Sequence, residues 1–520
     1  MLPDPGLVVF SPPTAPAAEV RRLALPPGAS APLEVHSHGY TYVVVGNTLL
    51  SRTELERLLR AAAGPRQAVA AIDGAYQRAG YLLTAIRAEV TDKRVMLAVV
   101  RGEITKVEGA SDVVRFFRGA EFDPDITRNA LIRRNILADA YASRSGRGLR
   151  PSLAPGIQPG GTTLELGASE QPGFKPVSGN VMVGNYGSRY VGGVVLGENL
   201  AVHPGHGLEF TLGYAHGLAN AQKATVGSRY DVFNAGASVA TPWGFYGLSY
   251  SRSAYRIGTA GAPLYPKGLT EVYAFNSSQL LFASPEVRVS SVQNLTHVAN
   301  GTKVFGGIYT LVDQDYNYAG VGLQIGGNTS LGGLSSAYNA SIGGNLGLSG
   351  GRGTMTQQPA GAPVSRFHYW NAMFNWQQTL PQGWSGALSA SGQWGLDTLP
   401  ANQQWVLGGF GSLSAWVPGV LVGDGGYLLR ASVQTPSWTR GGWSVNAQLF
   451  AEQGAVTTHY DPPGTPAWSM LADVGTGFTL TSPWKTQLSV LAARPVSNKN
   501  VRAATLNSTR SLYLLVQQPF

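Results

Sequence analysis

Charge is distributed very unevenly along this chain of 520 residues. Residues 1–178 contain 21 Lys and Arg and 17 Asp and Glu, whereas residues 179–520 contain only 17 and 12. The charged fraction therefore falls to about 8.5% in the second part, against roughly 25% in ordinary soluble domains. Because so few charges cannot cover a water-facing surface, we expect lipid or a partner to cover most of this part.

The uncharged stretches do not predict transmembrane helices. The longest, Tyr316–Gly351, is long enough to span a bilayer but contains eleven glycines. A spanning structure without helices is a closed β-barrel, which leaves no unpaired strand edge. Short alternating runs such as Glu209–Ala215 and Tyr427–Val433 fit this class. At ~21 residues per strand and connection, residues 179–520 predict an all-β transmembrane barrel of about 16 antiparallel strands.

The first part of the chain predicts a tether and two small α/β domains. Residues 1–33 are rich in Pro and Ala, with at most a short helix near Ala18–Leu25. Residues 34–103 give the order β-α-α-β-β, in which Ser51 and Glu54 form a capping box. Residues 104–178 repeat the pattern more loosely, with Asp123-Pro124 as the predicted start of a helix that ends near Ser143.

Nothing in the sequence indicates an enzyme, a cofactor or a metal site. The chain has no Cys, no phosphate-binding loop and no His set completed by carboxylates at a metal-binding spacing. The net charge of +9 is split +4 and +5 between the two parts, so no basic tail suggests nucleic acid. No secretory signal precedes the tether, and we expect one to have been removed.

Several segments, taken in order, resemble the two-partner secretion translocators, the haemolysin secretion/activation family of outer-membrane proteins. Val45-Gly46-Asn47-Thr48 stands where that family's first polypeptide-transport-associated (POTRA) domain carries similar residues. Gly184-Asn185-Tyr186-Gly187-Ser188 resembles the first barrel strand, and Ala493-Arg494-Pro495 resembles the closing hairpin. The alternating Leu512, Leu514 and Val516 end in Phe520, which is typical of the carboxy-terminal signal of outer-membrane barrels.

One stretch departs from the family. The family has a Gly-Gly-x-x-Ser/Thr-Val-Arg-Gly-Tyr/Phe loop in the lumen, whose Arg pairs with the acid of a Phe-x-Asp-x-Gly strand. The matching strand residues here are Phe450, Glu452 and Gly454, and the loop residues are Gly408, Gly409, Phe410, Gly411, Ser412, Leu413, Ser414, Ala415 and Trp416. Ser414 stands at the position of the Arg. Either Glu452 finds another cation, or the loop is held mainly by Trp416 and by glycine packing.

The resemblance implies a translocator that captures an unfolded, β-rich exoprotein in the periplasm and secretes it through the barrel. Its partners would be that large exoprotein, outer-membrane lipid and, during biogenesis, the barrel-assembly machinery. Two alternatives stay open: a factor that assembles or inserts outer-membrane proteins, and a passive pore or adhesin on the same scaffold. Ser414 is the main support for the passive pore.

Overall fold

The structure is a computed structural model that describes residues 31–123, 125–157, 161–188, 190, 192–219, 227–258, 262–356, 361–460 and 466–520. Most of the predicted tether, with the short helix near Ala18–Leu25, lies outside the described residues. No described helix is long and apolar enough to cross a membrane. The division into domains at residues 33, 103 and 178 stays a prediction.

The first α/β unit is a four-stranded sheet covered by two helices. Its elements are β1 (Leu33–Ser37), β2 (Tyr40–Val45), α1 (Arg52–Ala61), α2 (Pro65–Arg78), β3 (Thr84–Thr91) and β4 (Arg94–Arg101). The strand order is β1-β2-β4-β3, so that β1 and β3 are the edges. The Ser51 hydroxyl accepts from the Glu54 amide at 3.2 Å and caps α1. The sequence did not predict β1, which follows directly on the Pro-rich segment.

The second α/β unit has a three-stranded sheet of order β5-β7-β6. Its elements are β5 (Glu103–Gly109), α3 (Ser111–Val114), α4 (Arg128–Ser143), β6 (Arg147–Pro155) and β7 (Gly161–Glu170). The prediction that the long helix begins at Asp123-Pro124 is wrong. The helix begins at Arg128 because Thr127 caps it, accepting from the Ala130 amide at 3.2 Å, while Asp123 accepts from the Asp125 amide in a preceding turn.

The described residues from Val177 onward form a closed antiparallel barrel of sixteen strands, as predicted. Its first eleven strand segments are β8 (Val177–Gly184), β9 (Val195–Gly205), β10 (Leu208–Gly217), β11 (Arg229–Thr241), β12 (Gly244–Arg256), β13 (Lys267–Ala283), β14 (Val287–Val304), β15 (Tyr309–Leu331), β16 (Leu334–Gly350), β17 (His368–Thr379) and β18 (Ser385–Gly395). The remaining segments are β21 (Gly425–Gln434), β22 (Trp438–Arg440), β23 (Trp443–Thr457), β24 (Trp468–Thr481), β25 (Gln487–Lys499) and β26 (Leu512–Pro519). The short β22 prolongs the β21–β23 hairpin, and β26 pairs with β8 to close the barrel.

The two faces of the barrel wall differ in chemistry. Outward positions carry exposed apolar side chains, such as Leu248, Val321 and Leu449, each at least 64% exposed. We call the end of the barrel beside the α/β units the near rim and the opposite end the far rim. Four tryptophans mark turns at the near rim: Trp243, Trp384, Trp443 and Trp484. An apolar band bounded by aromatic residues is the surface of a barrel that lies in lipid.

The inner face of β11–β18 is polar but almost without charge. On β11–β18, the inward positions among the described residues carry no Asp, Glu or Lys, and one Arg, Arg288, beside a near-rim turn. Asn276 pairs with Asn294, and Asn294 and Asn345 flank Gly320 from both sides. These amides line a lumenal cavity of about 760 Å³.

Helix α4 attaches the second α/β unit to the near rim. The side chain of Arg144 donates to the Gly207 carbonyl at 2.8 Å and to the Ser238 hydroxyl at 3.0 Å. Tyr141 is buried in the same contact, where a side chain at Gly207 would approach its ring to 2.2 Å. The glycine therefore lets the helix dock closely on the barrel.

Candidate functional site: the loop in the barrel lumen

The connection between β18 and β21, residues 396–424, folds back into the barrel, and we call it the lumenal loop. Its base is a short hairpin of β19 (Trp405–Leu407) and β20 (Leu421–Gly423). The middle of the loop is fully buried, with Leu413, Ser414 and Ala415 at 0% exposure. A strand connection buried to this extent, among inward residues of β23, β24 and β26, occupies the lumen.

Glycines give the loop its shape. Gly408, Gly409 and Gly411 have φ values of 108°, 99° and 78°, a region that glycine adopts at little cost. A side chain on Gly408 would also approach the Val417 carbonyl oxygen to 2.4 Å. Two turns follow, in which the Ser412 amide donates to Gly409 at 3.0 Å and the Trp416 amide to Leu413 at 3.0 Å. This path points consecutive amides of the loop at the barrel wall.

Glu452 on β23 holds the loop through its backbone and takes its cation from the wall. The Ser414 amide donates to Glu452 Oε2 at 2.6 Å, and Arg430 Nη1 donates to Glu452 Oε1. Arg430 is the residue paired with Glu452 on the neighbouring strand β21, and its guanidinium lies 4.5 Å from the ring centre of Phe450. The sequence left two possibilities open, a different cation for Glu452 or a loop held mainly by packing. The structure shows the first, because Arg430 pairs with Glu452.

A second carboxylate lies beside the first. Asp473 on β24 pairs with Glu452 across the strands, and its Oδ2 accepts from the Ala415 amide at 2.9 Å. Both carboxylates are nearly fully buried, and Asp473 Oδ1 has no hydrogen-bond partner among the described residues. Two consecutive loop amides thus bind two neighbouring carboxylates, of which Glu452 also binds the guanidinium of Arg430.

Arg510 connects the loop to the closure of the barrel. Its amide donates to the Ala415 carbonyl at 2.9 Å, and its Nη1 donates to the carbonyls of Asn185 and Gly187 at 2.6 and 2.7 Å. The Tyr513 hydroxyl donates to the Trp416 carbonyl at 3.1 Å. The loop is therefore bonded to β26 and, through Arg510, to the end of β8.

The motif residues taken from the sequence meet at one place, except Phe520. Phe450 packs in the loop cluster, and Gly454 leaves room for Leu413, whose Cδ1 lies 3.3 Å from the position of a side chain at Gly454. Phe520 lies at the near rim, where its amide donates to Gly179 at 3.0 Å and completes the β26–β8 pairing. The roles of these residues stay predictions.

Sequence reasoning missed Arg430, Asp473, Arg510 and Tyr513. Two of them carry a usable pattern, because Arg430 and Asp473 are the lone charges of otherwise uncharged alternating strands. Their pairing with Glu452 depends on strand register, which the sequence does not give.

The family model of haemolysin secretion/activation protein ShlB/FhaC/HecB matches residues 160–480, which is more than half of the chain. The chain belongs to this haemolysin secretion/activation family. Among solved structures it is similar to CdiB from Escherichia coli, with 18% identity, a TM-score of 0.75, and 96% of this chain and 93% of that chain covered. CdiB from Acinetobacter baumannii matches with 16% identity, a TM-score of 0.70, and 99% and 95% coverage. A comparison with curated proteins finds no match.

Membership in the haemolysin secretion/activation family makes the protein a two-partner secretion translocator of the outer membrane, with its POTRA domains in the periplasm. The near rim is therefore periplasmic and the far rim extracellular. Ser414 departs from the family's loop, which carries an Arg at this position. In the family that Arg would pair with the acid at the position of Glu452. In this chain Arg430 supplies the guanidinium from β21 instead.

Proposed function

We propose that the protein secretes one unfolded exoprotein, captured by its POTRA domains and conducted through the barrel while the lumenal loop moves aside. The observation that carries this proposal is how the loop is attached. Amides of Ser414 and Ala415 bind Glu452 and Asp473, which belong to the wall. Bonds of this kind can break and re-form without unfolding the barrel, since both carboxylates stay on their strands.

The first POTRA domain offers an edge for capture. Among the described residues, β3 pairs only with β4, and its last five residues, Arg87–Thr91, are exposed. An extended chain adds to such an edge through main-chain hydrogen bonds, which requires no particular sequence. In the second domain, Pro151 on the edge strand β6 removes one amide donor, which makes that edge the poorer template.

The test of secretion is a comparison of culture-medium proteins with and without the gene. Loss of one large secreted protein, with other outer-membrane proteins unchanged, is the expected result. A general fall in outer-membrane barrels would identify an assembly factor instead. No change in either would leave the passive pore, although Arg430 removes the argument that Ser414 had offered for it.

The test of capture is a photo-crosslinking residue at Glu89 on β3. We expect it to crosslink the exported protein in cells. A matched crosslinker at Arg66, exposed on α2 of the same domain, is expected to give no such product. Equal crosslinking from both positions would contradict capture at the strand edge.

A further inference from the structure

Four cations occupy directly paired positions on four neighbouring strands near the far rim, and we call them the cation row. Arg229 pairs with Arg256, Arg256 with Lys267, and Lys267 with Lys303. They are in phase with outward residues such as Leu248 and Leu269, and all four are exposed. The row therefore lies on the membrane-facing side of the wall, at its extracellular end.

Such a row is unfavourable by itself. Paired side chains begin about 5 Å apart, and like charges directly opposite each other destabilise a sheet. Arg229 bonds to Asp231, and Arg256 Nε donates to the Gly227 carbonyl at 3.1 Å. Lys267 and Lys303 have neither a hydrogen bond nor an ion pair within the described part of the chain. The row is therefore short of anions.

The surrounding residues supply only part of those anions. The far halves of β11–β15, with Arg352 after β16, carry six cations, which are the row, Arg252 and Arg352, against four acids, Asp231, Glu271, Asp313 and Asp315. Glu271 lies 4.0 Å from Arg252, and Asp315 binds Arg352. Asp313 lines the same cavity as Lys267 and Lys303 but forms no ion pair with either among the described residues. The excess of two positive charges faces the headgroup layer of the outer leaflet.

Below the cation row lies a second row, of aromatic rings. Tyr250, Tyr273 and His297 occupy paired positions on β12, β13 and β14, with ring centres 4.8 and 6.2 Å apart. Rings with a polar edge at this depth are suited to the boundary between headgroup and acyl chains. On β12, Arg256 lies six positions after Tyr250, which leaves room for a headgroup larger than one phosphate.

An apolar groove of about 940 Å³ continues below the aromatic row. It runs over the small residues Ala235 and Ala237, between the larger side chains of Leu212, Leu248 and Phe275. These larger side chains are 43 to 65% exposed and face lipid. The groove therefore offers an acyl chain more contact than the rest of the convex wall.

We infer that this face binds a phosphorylated, multiply acylated glycolipid of the outer leaflet, the chemical class of lipopolysaccharide. Phosphates neutralise the cation row, sugars lie against the aromatic row, and an acyl chain fills the groove. The cation row spans three strand spacings, about 14 Å, which one phosphate cannot bridge. Separated phosphates on a sugar scaffold match that length. The inference depends on the outer-membrane location and not on secretion.

The test uses the purified full chain and native mass spectrometry with diphosphorylated lipid A as the probe. We expect Lys267→Gln/Lys303→Gln to weaken binding about thirtyfold, since each basic residue near a charged lipid surface contributes about a fivefold factor. The matched control is Arg440→Gln/Lys485→Gln, which removes two charges at the near rim and is expected to bind as wild type.

The probe itself provides a second comparison that needs no variant. We expect dephosphorylated lipid A to bind wild type as weakly as diphosphorylated lipid A binds the double variant. Equal binding of both lipids, or unchanged binding by the double variant, would overturn the inference. Cardiolipin has two phosphates but no sugar scaffold, so equally tight cardiolipin binding would overturn the assignment to a glycolipid.

Discussion

Arg430 and Glu452 occupy paired positions on neighbouring barrel strands and form an ion pair. This pair replaces the one that the resemblance assigns to an Arg of the loop. The consequence is that the cation stays in the wall when the loop leaves. Glu452 therefore keeps a partner in both positions of the loop, and of the two bonds that Glu452 makes only the one from the Ser414 amide has to break.

Removing the carboxylate of Glu452 is expected to release the loop. Glu452→Ala deletes the acceptor of the Ser414 amide, a bond to a charged group that contributes roughly 1.5–3 kcal/mol. We expect lower export with normal barrel assembly, measured as secreted protein and as heat-modifiable migration in gels. Gln448→Ala, an inward change on the same strand, is the control. Normal export by Glu452→Ala cells would show that this bond does not hold the loop.

Moving the cation back into the loop tests whether its location matters. Arg430→Gln leaves Glu452 without its guanidinium, and breaking a buried pair costs roughly 3–5 kcal/mol. We expect Ser414→Arg to restore loop docking in the Arg430→Gln background. Because the chain has no Cys, Ala415→Cys gives a unique thiol whose maleimide labelling reports an undocked loop. We expect fast labelling in Arg430→Gln and slow labelling once Ser414→Arg is added. Fast labelling in the combined variant would contradict the prediction that a cation in the loop can replace Arg430.

Docking of the second POTRA domain is expected to depend on Arg144. Arg144→Gln removes the two-pronged contact with Gly207 and Ser238, and we expect α4 to open more easily by about 2 kcal/mol. Hydrogen exchange of α4 in the full chain measures this. Arg133→Gln, exposed on the same helix, is the control and is expected to leave exchange unchanged. Equal hydrogen exchange in both variants would show that Arg144 does not stabilise the docking of α4 on the barrel.

The same domain is expected to weaken in acid. Arg147 lies 2.5 Å from Asp112, and this hydrogen bond holds the pKa of Asp112 below its ordinary value of 3.8. A lowered carboxyl pKa contributes stability above the ordinary value that is lost as the pH falls through the lowered one. Protection factors of α3 should therefore differ between wild type and Arg147→Gln at pH 7 and converge as the pH falls through the lowered pKa of Asp112. A difference that persists in acid would exclude this pair as the cause.

The barrel could be predicted because the amino-acid composition and the alternating pattern of the second part are enough to indicate it. Few charges, frequent glycine and alternating runs leave one lipid-compatible solution, so the class and the strand number followed from the sequence. The start of α4 was wrong because Asp123 and Thr127 can both cap a helix, and only the turn at Asp125 decides between them.

The site was predicted in part for a similar reason. Glu452 and the loop could be located by their motif, whereas Arg430 and Asp473 reach Glu452 only through strand register. The cation row was invisible for the same cause, since its members are 11 to 36 residues apart and look like ordinary charges at strand ends.

The uncharged inner face of β11–β18 has an effect on what can pass. Fixed charges in a narrow pore sort solutes by sign, and this wall has almost none. An acidic and a basic stretch of polypeptide meet the same electrostatic cost there, while the amides of Asn276, Asn294 and Asn345 exchange hydrogen bonds with any peptide group. These strands thus do not discriminate between cargo sequences, and we expect selection to depend on the periplasmic domains before the chain enters.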